Sequence, residues 1–147
     1  QLDLLLRDTP ASTSPVVYTS PADLVVDNVY LDLSSTLGHR IMLKCEALNL
    51  AGSVKIKAAR KMLSSALTSN RLAPGGTFIE SSSGSLGVAL AMLAAQNELN
   101  FICVTDTKSS NATIRLLKAY GAEVVTNPSR TQNMGCLEGG LNTSQTS

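Results

Sequence analysis

Two short stretches of this 147-residue chain carry residue types that do chemistry, and each leads into an expected helix. The first runs Leu43-Lys44-Cys45-Glu46-Ala47-Leu48-Asn49-Leu50-Ala51-Gly52-Ser53-Val54-Lys55. Ile41 to Leu43 reads as the end of a strand, Asn49 to Gly52 as a turn, and Ser53 as the N-cap of a helix whose first turn holds Lys55. A helix N-terminus carries about half a positive elementary charge, which disfavours an ammonium there, and burial would act in the same direction. Both effects favour the free amine, the form of lysine that attacks a carbonyl. The plainer alternative is a solvated lysine near a helix start.

The second stretch, Glu80-Ser81-Ser82-Ser83-Gly84-Ser85-Leu86-Gly87, links a strand to a helix. Hydroxyls, small residues and free backbone N–H groups at a helix start suit an anion, either a carboxylate or a phosphate. The lysine of a P-loop and the spacing of G-x-G-x-x-G are missing, and Ser83 stands where a G-x-S-x-G elbow centred on Ser85 needs glycine. Phosphate-loop and hydrolase readings therefore fail. A serine-rich turn that merely caps its helix is the alternative.

The elements that must position these stretches follow from periodicity. Val29 to Leu33 and Arg40 to Cys45 read as short strands with Gly38 in the turn between them. Ser53 to Thr68 is helical, with Ala59, Met62, Leu63, Ala66 and Leu67 on one face and Lys57, Arg60, Lys61 and Ser64 on the other. Thr77 to Ser81 is a strand, Ser85 to Gln96 a helix with Leu86, Leu90, Leu93 and Ala94 as its stripe, and Asn100 to Thr105 a strand. Ser109 to Tyr120 is a helix ended by Gly121, and Ala122 to Thr126 the last strand. Strands alternating with helices through short connections give an α/β class, a parallel sheet covered by helices. The expected division is an arm over 1–28, an α/β domain over 29–126 and a loose tail over 127–147.

Composition narrows the function. Hydrophobic residues at 44% with 16% charged describe a globular protein, and twelve basic against eleven acidic residues give a net charge of +1. No long-range field points to nucleic acid or an anionic membrane, so a small neutral or zwitterionic ligand is expected. Cys45, Cys103 and Cys136 have no metal-ligand spacing, and no metal is expected. With neither a membrane-length apolar run nor a basic leader, the expected location is cytoplasmic, although the chain begins at Gln1 rather than methionine. His39, beside Gly38 and Arg40, reads as exposed and uninvolved.

A strand, then Glu46-x-x-Asn49, a small-residue turn and Ser53-x-Lys55, followed by the hydroxyl-rich Ser83-Gly84-x-x-Gly87 turn, resembles the cysteine synthase branch of the type II pyridoxal-phosphate enzymes. The likeness covers roughly Val29 to Val125 and implies the front half of a tryptophan synthase β-like fold. Glu80 to Leu93 and Cys103 to Val124, with Asp106, Lys108, Lys118 and Tyr120-Gly121-Ala122 in step, are most similar to siderophore-pathway synthases that join O-phosphoserine to glutamate on the way to diaminopropionate.

The resemblance implies that Lys55 holds pyridoxal 5'-phosphate and moves the substrate's α-proton, and that Ser85 contacts the cofactor ring. It implies that Ser82, Ser83, Gly84, Ser85 and Leu86 hold the α-carboxylate of the amino-acid substrate, and that the protein is a homodimer. Three departures stand out. Ile56-Lys57 replaces the family's Asp-Arg after the lysine, and Ser85 replaces an asparagine. The family's phosphate-gripping loop and the partner of the pyridine nitrogen belong to its second half. The leading expectation is therefore the front half of an enzyme for pyridoxal-phosphate-dependent β-replacement on an O-activated serine, with a truncated chain, weak in cofactor retention and inactive as given, as an alternative within it. Cysteine synthase activity and a non-catalytic role beside a full-length relative are the other readings.

Overall fold

The computed structural model describes residues 17–18 and 24–128. The rest of the expected arm, the tail beyond 128 and Cys136 lie outside the described residues. In chain order the elements are β1 (Tyr30–Asp32), α1 (Ser34–Leu37), β2 (Met42–Lys44), a short 3-10 turn (Glu46–Leu48), α2 (Lys55–Thr68), β3 (Thr77–Ser81), α3 (Ser85–Gln96), β4 (Asn100–Thr105), α4 (Asn111–Ala119) and β5 (Glu123–Thr126).

β1 and β2 pair antiparallel, with Leu31 opposite Leu43. Their connection is not the plain turn expected around Gly38 but one turn of helix. The Asp32 carboxylate accepts from the Ser34 N–H at 2.8 Å, which starts α1, and Gly38 ends it in the left-handed conformation at φ 71°. His39 is exposed, as expected.

β3, β4 and β5 form a parallel sheet in that order, with Phe78 beside Phe101 and Cys103 beside Val124. Phe101, Cys103 and Thr105 point to the buried face, where the Phe78 and Phe101 rings stack 4.7 Å apart. Helix α3 departs from the single stripe expected of it, since every residue from Gly87 to Ala94 is buried. The reason is tertiary: α3 rests on β4 with α2 on one side and α4 on the other. Its small side chains let three neighbours approach at once. Leu90 and Leu93 join Ile56, Ala59 and Leu63 of α2 in the core, while Met62, expected on the buried face, is 41% exposed.

Side chains of the opposite face alternate with the buried ones: Ile79, Ile102, Val104 and Val125. Ile79 is 51% and Val125 42% exposed. Parallel sheets are normally covered on both faces. Here the described helices cover one.

Candidate active site

The direction of the helices decides what comes together. β3 runs into α3 through 82–84, so the N-terminus of α3 lies at the carboxyl edge of the parallel sheet. A cleft lined by Leu63, Ser64 and Leu67 of α2 and by Leu93 and Asn97 at the end of α3 shows that the C-terminal halves of the two helices are neighbours. They run the same way, and the start of α2 therefore also lies at the carboxyl edge. The loop from Asp106 to Ser110, which follows β4, opens on the same side. In open α/β sheets this is the edge that binds ligands.

Lys55 is the first residue of α2 and is exposed. Val54, not Ser53, is the N-cap, and no side chain caps the helix. The Ser53 hydroxyl instead accepts from the Lys55 N–H at 3.3 Å, a local turn contact of the kind short hydroxyls favour. No carboxylate among the described residues lies within ion-pair reach of the Lys55 ammonium.

The lysine turn is tied down from below. Asn49, 3% exposed, accepts from the Val26 N–H at 2.8 Å and donates to the Glu46 backbone oxygen at 2.9 Å and to Glu46 Oε2 at 2.8 Å. Glu46 Oε1 receives Lys57 Nζ at 2.9 Å and Lys44 Nζ at 3.0 Å, and Lys57 also pairs with Asp27. Ile56, the other residue after Lys55, is fully buried. Ile56-Lys57 thus anchors the turn, one side chain in the core and one on Glu46. Sequence reading had Glu46 and Asn49 only as parts of a motif; the partnership with Asp27 joins segments too far apart in the chain for local patterning to reveal.

The ammonium groups of Lys57 and then Lys44 hold the Glu46 carboxyl down at about 2, and the carboxylates of Asp27 and then Glu46 push Lys57 upward. A lowered carboxyl contributes stability above its ordinary value of 4.5 and loses it as pH falls through about 2. Lys57 contributes below its ordinary 10.5 and loses that contribution only as pH rises through its raised value. A carboxyl-carbon NMR titration of Glu46 is expected to show a midpoint near 2, and Lys57→Met is expected to move it up toward 4.5.

The serine turn divides its groups between inside and outside. Ser82 Oγ accepts from the Gly87 N–H at 2.9 Å and the Gly84 N–H at 3.4 Å, so this hydroxyl faces its own helix. Ser81 Oγ donates to the Val104 carbonyl at 3.2 Å. Among the described residues, the N–H groups of Ser83, Ser85 and Leu86 meet no acceptor. Ser83 and Ser85 are exposed and Leu86 half-buried. Gly84 leads into α3 with φ −150° and has open space where a β-carbon would stand.

On the neighbouring loop, Asp106 Oδ1 accepts from the Lys108 N–H at 2.9 Å and from Ser109 Oγ at 3.3 Å, and Ser109 Oγ also meets the buried Thr105 hydroxyl. Lys108 is exposed on this braced loop. One edge therefore presents a primary amine, three unpaired N–H groups, the Ser85 hydroxyl and a second cation. That donor set fits an aldehyde cofactor bound through Lys55 and an amino acid bound through its carboxylate.

Residues 29–142 match the family described as pyridoxal-phosphate dependent enzyme. The chain is 36% identical over 125 residues to a probable cysteine synthase of Bacillus subtilis, covering 83% of this chain and 40% of that one. It is 42% identical over 84 residues to an N-(2-amino-2-carboxyethyl)-L-glutamate synthase of Ralstonia nicotianae, covering 57% of this chain and 25% of that one. Among solved structures it is similar to an O-ureido-L-serine synthase, with a TM-score of 0.69 and 31% identity over 77% of this chain and 36% of the other. The chain thus spans well under half the length of these relatives. Among the described residues, no helix is long and apolar enough to cross a membrane.

Proposed function

The chain belongs to the family of pyridoxal-phosphate dependent enzymes, and on that premise we propose that it carries the lysine and carboxylate site for β-replacement on an O-activated serine. The observation that carries this reading is the placement of Lys55 and the unpaired N–H groups of Ser83, Ser85 and Leu86 at one sheet edge.

When bound, pyridoxal phosphate supplies the electron sink that makes the substrate's Cα–H bond acidic. Lys55 holds the cofactor and then moves that proton through its amine. The N–H groups of Ser83, Ser85 and Leu86 would clamp the α-carboxylate and so orient the Cα–H bond toward the Lys55 amine, which makes binding part of the rate. Ser85 adds a hydroxyl donor toward the cofactor ring, shorter in reach than an asparagine.

The finer reading is O-phosphoserine plus glutamate toward diaminopropionate, and Lys108 supports it. A departing phosphate is better stabilised by a cation than a departing acetate is, and Lys108 stands on a braced loop at the same edge. On this reading residues 29–126 are the working unit, the ligand is a small amino acid, and the assembly is a cytoplasmic homodimer. The uncovered face of Ile79, Ile102, Val104 and Val125 favours a second reading, a non-catalytic protein that pairs with a full-length relative through that face.

The test is mass-spectrometric detection of N-(2-amino-2-carboxyethyl)-L-glutamate from O-phosphoserine and glutamate with added cofactor. Lys108→Gln is expected to lower kcat/KM for O-phosphoserine about tenfold, the worth of one charge-assisted hydrogen bond to the departing phosphate, and to leave O-acetylserine unaffected. Cysteine formed from O-acetylserine and sulfide instead would favour the cysteine synthase reading. No product, with retained association to a relative, would favour the interaction reading.

A further inference from the structure

Beneath the serine turn lies a residue that the chemistry does not use. Cys103, in the middle of β4, is fully buried, and its thiol donates to the Ser82 carbonyl at 3.3 Å. The Ser82 N–H donates to the Val104 carbonyl at 3.0 Å, and Ser82 Oγ accepts from Gly87 and Gly84. Ser82 is thus held through its N–H, its carbonyl and its hydroxyl. A β-carbon on Gly87 would stand 3.2 Å from Cys103 Sγ, 3.2 Å from Ser82 Cβ and 3.3 Å from Ser82 Oγ, so the three residues close on one another without spare room. Burial pushes the Cys103 thiol pKa up against a smaller lowering by the Ser82 backbone, and the Glu80 charge adds to the rise, which favours the protonated thiol that donates.

We infer that Ser82 and Cys103 form a clasp beneath the turn: Cys103 is a positioning residue that acts through Ser82 to hold in place the turn that carries the N–H groups of Ser83, Ser85 and Leu86. This rests on the site proposed above for its ligand and on the geometry alone for the clasp. The Ser82 hydroxyl oxygen accepts from two N–H groups of its own helix and so uses both its lone pairs on the turn. Its value to the site is indirect. By capping Gly87 and Gly84 from inside, it leaves the next N–H groups aimed outward at the ligand. The thiol fixes the carbonyl from which that hydroxyl is aimed.

The test follows amide exchange and ligand-induced shifts by NMR in the full chain, with O-phospho-L-serine as probe. Cys103→Ala is expected to speed exchange at the Gly87 N–H about tenfold relative to Leu93 and Val104, and to weaken probe binding by a similar factor. Cys103→Ser, which keeps a donor, is expected to restore both to within about threefold. Ser82→Ala should release Gly87 in the same way. Unchanged Gly87 exchange in Cys103→Ala would overturn the clasp, as would equal acceleration throughout α3 and β4 in both Cys103 variants. Weaker probe binding by Ser82→Ala with Gly87 exchange unchanged would show that the hydroxyl acts on the ligand directly and would overturn the clasp. If the probe shifts no amide in the unaltered chain, the proposed carboxylate site fails, and the exchange comparison still decides the clasp.

Discussion

Reduction with borohydride after incubation with pyridoxal phosphate is expected to place a single label on Lys55, and Lys55→Ala is expected to remove it completely. The chain has six lysines, so selectivity is a real demand. Lys57 and Lys44 are engaged by Glu46 and Asp27, and the raised pKa of Lys57 keeps its proton in place. Lys61 and Lys118 lie on exposed helix surfaces with no ligand groups described beside them. Lys108 stands at the same edge but on a loop, and Lys55 alone begins a helix there, beside the unpaired N–H groups of the serine turn. With the amine gone, both the covalent hold and the proton transfer go. Turnover should therefore drop by at least the roughly 10²–10⁴-fold that a positioned acid–base group supplies. Peptide mapping of the reduced protein reads the result. Label spread over all six lysines, and unchanged in the variant, would sink the site.

The contrast between Lys55 and Lys57 also shows how far residue patterns reach. β3, α3 and β4 have the limits that alternation and helical period predict, because strand, turn and helix signals agree there. The family likeness placed Lys55 and the serine turn in the same enzyme class that the matched residues 29–142 now show. Long-range pairing was not legible. Asp27, placed in the arm by a boundary at 28, is bound to Lys57, and Asn49 reaches back to Val26. Nor does a run of three serines tell which hydroxyl turns inward: only the fold shows Ser82 capping its helix while Ser83 and Ser85 remain exposed. The all-round burial of α3 was hidden for a related reason, since period reports one neighbouring surface and α3 has three.

Gly87→Ala is expected to be the most damaging single-methyl change in the turn. Its new carbon would meet Cys103 Sγ and Ser82 Cβ at 3.2 Å and Ser82 Oγ at 3.3 Å. None of these can retreat freely, because Cys103 is fully buried between α3 and the sheet and Ser82 is bonded on three sides. Overpacking of this kind costs about 1–3 kcal/mol. For a domain of this size each kcal/mol lowers Tm by roughly 4–8 °C. The relief available is to push the Ser82 side chain away, which breaks its bond to the Gly87 N–H and turns the capped end of α3. Ligand affinity should then fall further than the loss of folded protein accounts for. Gly84→Ala is the matched control: its β-carbon meets nothing within 4 Å, so stability should change by no more than about 0.5 kcal/mol. Thermal unfolding of both variants separates the cases, and equal Tm values would mean that the space under the turn is not tight. A small residue at 87 is thus demanded by the approach of strand β4 to the turn, while the one at 84 faces open space.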